Sequence, residues 1–220
     1  MTTLIVDYES GNLHSVAKSF ERMAAEGNSG SVIVSSDPAD MARASRIVLP
    51  GVGAFADCRA GLAAREGLFE AMAQRVLNDG LPFLGICVGM QMLFTGSDED
   101  PAAAGLDIIP GTVTWIPPGP KIPQMQWNRL AIERPDPMLA NLGDDPWVYF
   151  VHSLHGVPDD PDVVAATVQY GTTLNAAFRL DNVFAAQFHP EKSSRPGLAL
   201  LSNFVQICAD GTDRESEVVA

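Results

Sequence analysis

Residues 81–93 read LPFLGICVGMQML, a short apolar run followed by apolar residues at helical spacing. A single cysteine, Cys87, lies where the two patterns meet, between Gly85 and Gly89. This G-x-C-x-G spacing is typical of a sharp strand-to-helix turn that lifts a nucleophile clear of a sheet edge. A cysteine at a helix start is favoured as the thiolate, and the following N–H, that of Val88, is free to bind an oxyanion. The alternative is a buried structural cysteine beside two turn glycines.

Upstream of this segment, strand patterns alternate with helical patterns. We predict strands at 4–6, 31–35 and 46–49, and helices at 13–23, 57–62 and 68–77. Such alternation predicts an α/β fold, with a doubly wound, mostly parallel central sheet and flanking helices. Ligands of such sheets bind at the carboxyl ends of the strands, so the functional residues are expected there.

Downstream, short strand patterns follow one another without helices between them, at 112–116, 130–132, 147–152, 163–169 and 183–188. They predict a smaller antiparallel extension. Residues 95–105 are expected to form a loop, and 198–207 a final helix. We expect one domain over residues 1–209 and a frayed tail over 210–220.

Composition narrows the functional classes. Of the 220 residues, 46% are hydrophobic and 19% charged, as expected for a globular chain. No apolar run approaches the ~20 residues of a membrane span, and the N-terminus lacks signal-peptide features, so we expect a cytoplasmic protein. The net charge of −13 argues against nucleic acid as the main ligand. Three widely spaced cysteines predict neither a disulfide framework nor a metal site, and no cofactor is expected.

A cysteine nucleophile needs a base, and His189 is the best placed of the four histidines. Pro190 disfavours helical backbone at His189, and in extended backbone residues i and i+2 face the same way. Glu191 is therefore expected to contact His189 and to fix its tautomer. Taken alone, a His-Pro-Glu sequence is more often a surface turn with a local ion pair.

The loop Pro50-Gly51-Val52-Gly53 follows the third predicted strand. It formally matches a dinucleotide-binding pattern, but it does not open the first strand-helix-strand unit. We interpret it instead as the source of a second oxyanion donor beside Val88. Because glycine accepts both signs of φ, the peptide between Gly51 and Val52 is predicted to rotate between two orientations.

Taken together, these motifs resemble the class I (triad) glutamine amidotransferases, and among them the branch that serves histidine biosynthesis. The resemblance spans nearly the whole chain and rests on the segments DYESGNL (7–13), LPGVGAF (49–55), GICVGMQ (85–91), YFVHS (149–153) and QFHPEKS (187–193).

The resemblance implies that Cys87 attacks the side-chain amide of glutamine and that His189, oriented by Glu191, moves the protons. It implies an oxyanion hole made by Gly51, Val52, Gly53 and Val88, and glutamine contacts from Gln91, Ser153 and Leu154. It also implies that ammonia passes to a separate cyclase with a (βα)8-barrel fold, in a heterodimer. Residues assigned to that interface are Asn12, Trp127 and Lys192.

Two other readings of the motifs remain open. One is a triad glutaminase of another ammonia-channelling synthase, such as that of vitamin B6 synthesis. The other is a stand-alone cysteine hydrolase on a similar fold. The chain departs from the family pattern at Gln124, Gln126, Leu154, His155 and Ala185-Ala186.

Overall fold

A computed structural model describes residues 1–25 and 30–216, with side chains described as far as Ile207. The helices of this part of the chain are α1 (Leu13–Ala25), α2 (Phe55–Ala63), α3 (Leu68–Ala73), α4 (Val88–Gln91) and α5 (Ser194–Ser216). The strands are β1 (Thr2–Val6), β2 (Ser31–Ser35), β3 (Arg46–Gly51), β4 (Phe83–Cys87), β5 (Phe94–Ser97), β6 (Ile109–Trp115), β7 (Gln124–Ile132), β8 (Trp147–His152), β9 (Leu154–Pro158), β10 (Val164–Tyr170), β11 (Thr172–Leu180) and β12 (Val183–Ala186).

Among the described residues, the larger sheet has the order β2-β1-β3-β4-β12-β11-β10-β7-β8. Its first five strands pair in parallel, and the pairs beyond β12 are antiparallel. The chain adds β2 on one side of β1 and β3 on the other. With the right-handed crossovers that are the rule for such units, this order puts α1 on one face of the sheet and α2 with α3 on the other. This is the predicted doubly wound α/β fold with its antiparallel extension.

The central strands are apolar because they are covered on both faces. Every residue of β3 and β4 is buried, as expected for parallel strands between two helical layers. On one face, α1 inserts Val16, Phe20 and Met23 into the core, and it packs against α5 through the edge-to-face rings of Phe20 and Phe204.

A second sheet, β5-β6-β9, lies beside the first. The expected loop at 95–105 is therefore wrong in part, because its first residues belong to β5, which pairs in parallel with β6. Neither β9 nor β11 was predicted from the sequence. The second sheet shows that part of the extension is a separate layer.

Helix boundaries also differ from the predictions. The predicted helix at 68–77 ends as α3 at Ala73 and continues as a π-turn, and α4 is a single turn. The last helix is longer than the predicted 198–207, because α5 extends to Ser216. Fraying of 210–220 stays a prediction, and 217–220 lie outside the described residues. No described helix is long and apolar enough to cross a membrane.

Candidate active site

Cys87 ends β4 in a backbone conformation that few residues adopt. Its φ of 54° and ψ of −115° lie outside the broadly allowed regions, a strain that accumulates at functional sites. The positions two residues to either side of Cys87 are glycine for steric reasons. A Cβ on Gly89 would lie 1.9 Å from the Leu49 carbonyl oxygen, and one on Gly85 would lie 3.0 Å from the Met90 Cα. Only glycine permits this close packing of strand, turn and helix.

A cavity of about 290 Å³ opens over this turn, near the ~300 Å³ lower end of the range for small-molecule sites. Its wall includes Cys87 and His189. It also includes the predicted oxyanion and glutamine residues Val52, Gly53, Val88, Gln91, Ser153 and Leu154. Gly51 pairs with Cys87 in the register of β3 and β4, so the sheet itself holds the loop next to the thiol.

His189 lies just beyond β12 with its side chain 2% exposed. Its φ of −100° and ψ of 96° are extended, as expected for a residue that precedes proline. Its Nδ1 is 2.9 Å from Oε1 of Glu191. Its Nε2 is buried without a hydrogen-bond partner among the described residues, so it is available to a substrate.

Burial alone would lower the pKa of His189. The Cys87 side chain and Glu191 outweigh burial and raise this pKa to about 9. The anion that the structure places against the imidazole is the Glu191 carboxylate. The raised pKa suits His189 to donate a proton as a general acid.

The carboxylate of Glu191 has a second partner. Asn12 donates from Nδ2 to Oε1 of Glu191 across 3.3 Å. This bond links the residue before α1 to the His-Pro-Glu segment. Asn12 was predicted at a partner interface, but the structure directs its amide to the buried acid. Lys192 and Trp127, assigned to the same interface, are exposed.

Two side chains hold the loop over the cavity by hydrogen bonds to the backbone of Val52. The Ser10 hydroxyl donates to the Val52 carbonyl oxygen at 2.8 Å and lies 3.5 Å from the Val52 N–H. The Cys58 thiol donates to the same carbonyl at 3.3 Å. In this conformation the Val52 N–H faces Ser10 and is not aimed at the space above Cys87.

Packing gives a further reason for glycine at position 51, beside the predicted rotation of the peptide that follows it. The positive φ in this loop is at Gly53, at 94°, and Gly51 has ordinary strand backbone. Glycine at 51 is required because a Cβ there would lie 2.4 Å from the backbone N of Gly89. Close packing against the turn, and not a left-handed conformation, excludes a side chain at this position.

Sequence reasoning missed an acidic residue of the cavity wall. The Glu99 carboxylate lines the cavity and accepts the Phe55 N–H at 2.7 Å, at the start of α2. In the sequence, Glu99 lies between two aspartates in an apparently solvated loop. No local pattern distinguishes this acid from its neighbours.

The comparisons with known proteins agree with this geometry. The family profile "Glutamine amidotransferase class-I" matches residues 4–208. The chain belongs to the class-I glutamine amidotransferases. This confirms the family predicted from the sequence motifs.

Among curated relatives of this amidotransferase, a protein of Geobacter sulfurreducens named imidazole glycerol phosphate synthase subunit HisH is 47% identical over 91% of this chain and 96% of its own. A protein of the same name from Methanothermobacter thermautotrophicus is 47% identical over 92% and 97%. At the level of fold, the structure of PurLQS from Thermotoga maritima matches with a TM-score of 0.67, at 20% identity over 94% of this chain and 98% of the other.

The amidotransferase site offers acids, a thiol and amides. Among the residues that the structure describes, no group of three or more His, Cys, Asp or Glu side chains is arranged to hold a metal ion. The groups at this site that can carry chemistry are the thiol, the imidazole and the carboxylates already described.

His152 also lines the cavity and gives a pH-dependent prediction. Its Nδ1 lies 2.7 Å from the Leu154 carbonyl oxygen, which only accepts, so Nδ1 carries the proton. Burial lowers the pKa of His152 from 6.5 to about 4, although the bond to Leu154 opposes the shift.

The unfolded chain therefore binds a proton near pH 6.5 that the folded chain does not bind until about pH 4, and stability is lost as the pH falls through this window. We expect the His152→Asn variant to lose less stability than wild type between pH 6.5 and 4, by about 3 kcal/mol. Urea unfolding across this range checks it, with the exposed His14→Asn as control. Identical pH dependence in wild type and His152→Asn would contradict the assignment.

Proposed function

We propose that this amidotransferase is the glutaminase subunit of an imidazole glycerol phosphate synthase. It hydrolyses glutamine to glutamate and ammonia, and the ammonia passes to a cyclase subunit that makes imidazole glycerol phosphate and aminoimidazole carboxamide ribotide in histidine biosynthesis. The relatives of that name, matched over more than nine tenths of the chain, support the assignment. The observation that carries the chemistry is the placement of Cys87 and His189 at one cavity, with the Glu191 carboxylate 2.9 Å from the Nδ1 of His189.

In the proposed reaction, the Cys87 thiolate attacks the carbonyl carbon of the glutamine side-chain amide. The C–N bond breaks as Nε2–H of His189 protonates the departing nitrogen, which leaves as ammonia, and a glutamyl thioester remains. His189 then removes a proton from water, the hydroxide oxygen attacks the thioester, and the C–S bond breaks to release glutamate. Glu191 holds the imidazole and stabilises its charged form.

Glutamine recognition is assigned to the opposite wall of the cavity. Gln91 keeps its amide nitrogen inside the protein, 3.3 Å from the Leu154 carbonyl oxygen and 3.1 Å from Oε1 of Gln187. Its own carbonyl oxygen is then the group available to a donor on the substrate. We assign the α-ammonium group of glutamine to Glu99, a carboxylate at the cavity wall.

The oxyanion formed in both steps is assigned to Val88 and the Gly51-Val52-Gly53 loop. Val88 is the first residue of α4, so its N–H has no acceptor within the helix. The second donor, the Val52 N–H, needs a rotation away from Ser10. Removal of one oxyanion donor typically lowers turnover by about 10²–10³-fold, so this rotation is a means of control by the partner.

We expect Ser10→Ala to raise glutamine hydrolysis by the isolated protein. The variant removes the hydroxyl that contacts both the N–H and the carbonyl of Val52, and a neutral hydrogen bond accounts for up to about a tenfold change in such an equilibrium. Glutamate release without the partner measures it, with Ser19→Ala on α1 as the matched control. A basal rate equal to that of wild type would show that Ser10 does not restrain the loop.

The proposed partner is a (βα)8-barrel cyclase, which forms a heterodimer with this chain. For this chain itself we propose a cytoplasmic location and a single domain over residues 1–209. The exposed apolar side chains Met125 and Trp127 of β7, 61% and 42% exposed, support a protein contact on that strand. Trp127 and Lys192 remain our interface assignments. Asn12, which contacts Glu191, is assigned to connect the interface to the acid.

Mixing the protein with the cyclase from the same source tests the proposal. Glutamate formation is measured alone, with the cyclase, and with the cyclase and its ribotide ligand. We expect strong stimulation only in the ligated complex. Stimulation by a vitamin B6 synthase partner, or partner-independent hydrolysis of an ester or peptide, would instead support the two alternative functions.

A further inference from the structure

Three hydrogen bonds connect the glutamine wall of the cavity to the nucleophile. Gln91 donates from Nε2 to the Leu154 carbonyl oxygen at 3.3 Å and to Oε1 of Gln187 at 3.1 Å. Gln187 in turn donates from Nε2 to the Cys87 sulfur at 3.8 Å. Gln187 is fully buried, so this amide pair is part of the interior of the site.

The backbone carbonyl of Leu154 fixes which atom is the donor in each of these three hydrogen bonds. A backbone carbonyl only accepts hydrogen bonds, so the group that Gln91 presents to Leu154 is its NH₂. The second hydrogen of that NH₂ requires an acceptor, which makes the facing atom of Gln187 its oxygen. The NH₂ of Gln187 then has one direction left, toward the sulfur of Cys87.

The sheet explains why Gln187 reaches the thiol. Ala186 of β12 pairs with Ile86 of β4, so the next residues along the two strands, Gln187 and Cys87, are neighbours. Alternation along extended backbone puts Gln187 and His189 on the same side, while Phe188 points into the core against Phe150. Gln187 and His189 thus both face the nucleophile, Cys87.

The α4 helix is too short to stabilise the Cys87 thiolate strongly by itself. A helix of four residues aligns few peptide dipoles, so it contributes less to the stability of a thiolate than a longer helix would. We propose that Gln187 is a further catalytic residue, which stabilises and orients the Cys87 thiolate through its side-chain N–H. The assignment rests on the proposed function, in which Cys87 attacks glutamine.

Replacement of Gln187 by methionine keeps the length of the side chain and removes the donor. We expect alkylation of Cys87 by iodoacetamide at pH 7 to slow about tenfold, the size expected for one hydrogen bond to a charged group. The midpoint of the pH–rate profile should move upward by about one unit, since a tenfold change in thiolate fraction corresponds to one unit. Gln187→Glu, which places an acceptor or a negative charge at the same point, should slow alkylation further.

Peptide mapping restricts the measurement to Cys87, and Gln169→Met on β10 is the matched control, expected to react like wild type. If Gln187 only positions Gln91, then Gln187→Met raises the KM for glutamine while the alkylation profile stays unchanged, and that result overturns the proposal. Should the methionine variant not fold, the isosteric Gln187→Glu decides: alkylation as fast as in wild type overturns it equally. Alkylation needs neither glutamine nor a partner, so failure of this assignment is separable from failure of the proposed function.

Discussion

Replacing Cys87 with alanine is expected to abolish glutamine hydrolysis and to leave the ammonia-dependent reaction of the assembled synthase running. Alanine retains the Cβ, so the strained turn is filled as before, and only the sulfur is lost. Among the described residues no other thiol lines the cavity, so no second thiol there replaces Cys87 as the nucleophile. Glutamate release and imidazole glycerol phosphate formation, each measured in the complex, check the two halves.

Added ammonium salt is the internal control, because it bypasses the glutaminase site and reports on folding and on the partner. Residual glutamine hydrolysis by Cys87→Ala above the uncatalysed rate would rule out the nucleophile assignment. Loss of the ammonia-dependent reaction as well would mean that Cys87 supports the complex itself.

The second large effect is expected for Glu191→Gln. The amide oxygen can still accept from His189 and Asn12, but the negative charge that helps raise the pKa of His189 is gone. We expect turnover to fall by up to about 10⁴-fold, as in other triads in which the acid becomes an amide. Glutaminase turnover in the ligated complex measures it.

The matched control for this variant is Glu70→Gln on α3, an exposed acid outside the cavity wall. Its turnover should equal that of wild type. Near-normal turnover of Glu191→Gln, with unchanged thermal unfolding, would mean that another residue stabilises the imidazolium.

Much of the site was predictable because its determinants are local. The two glycines around Cys87 mark the turn in the sequence; the contact that requires Gly85 is local, with Met90, and the one that requires Gly89 is with Leu49 of the adjacent strand β3. The approach of His189 to Glu191 follows from proline and from the two-residue period of extended backbone. The parallel part of the sheet was predictable for a similar reason, since β1, β3 and β4 each contain an uninterrupted apolar run.

The remaining features depend on residues far apart in sequence. β5 and β9 contain glycine, and β9 ends in proline, so their strand propensity is weak and pairing with β6 decides their structure. The contact of Asn12 with Glu191 joins positions 179 residues apart. The Gln187 amide acquires its orientation only from Gln91 and Leu154, which no pattern around position 187 encodes.

The most direct measurement for the central claim is labelling of the ligated complex with a diazoketone analogue of glutamine, followed by peptide mapping. The account predicts one label per glutaminase chain, carried by Cys87, with glutamine slowing the reaction and activity lost in proportion to the label. Full loss of glutaminase activity with the label on Cys58 or on any residue other than Cys87 would contradict it.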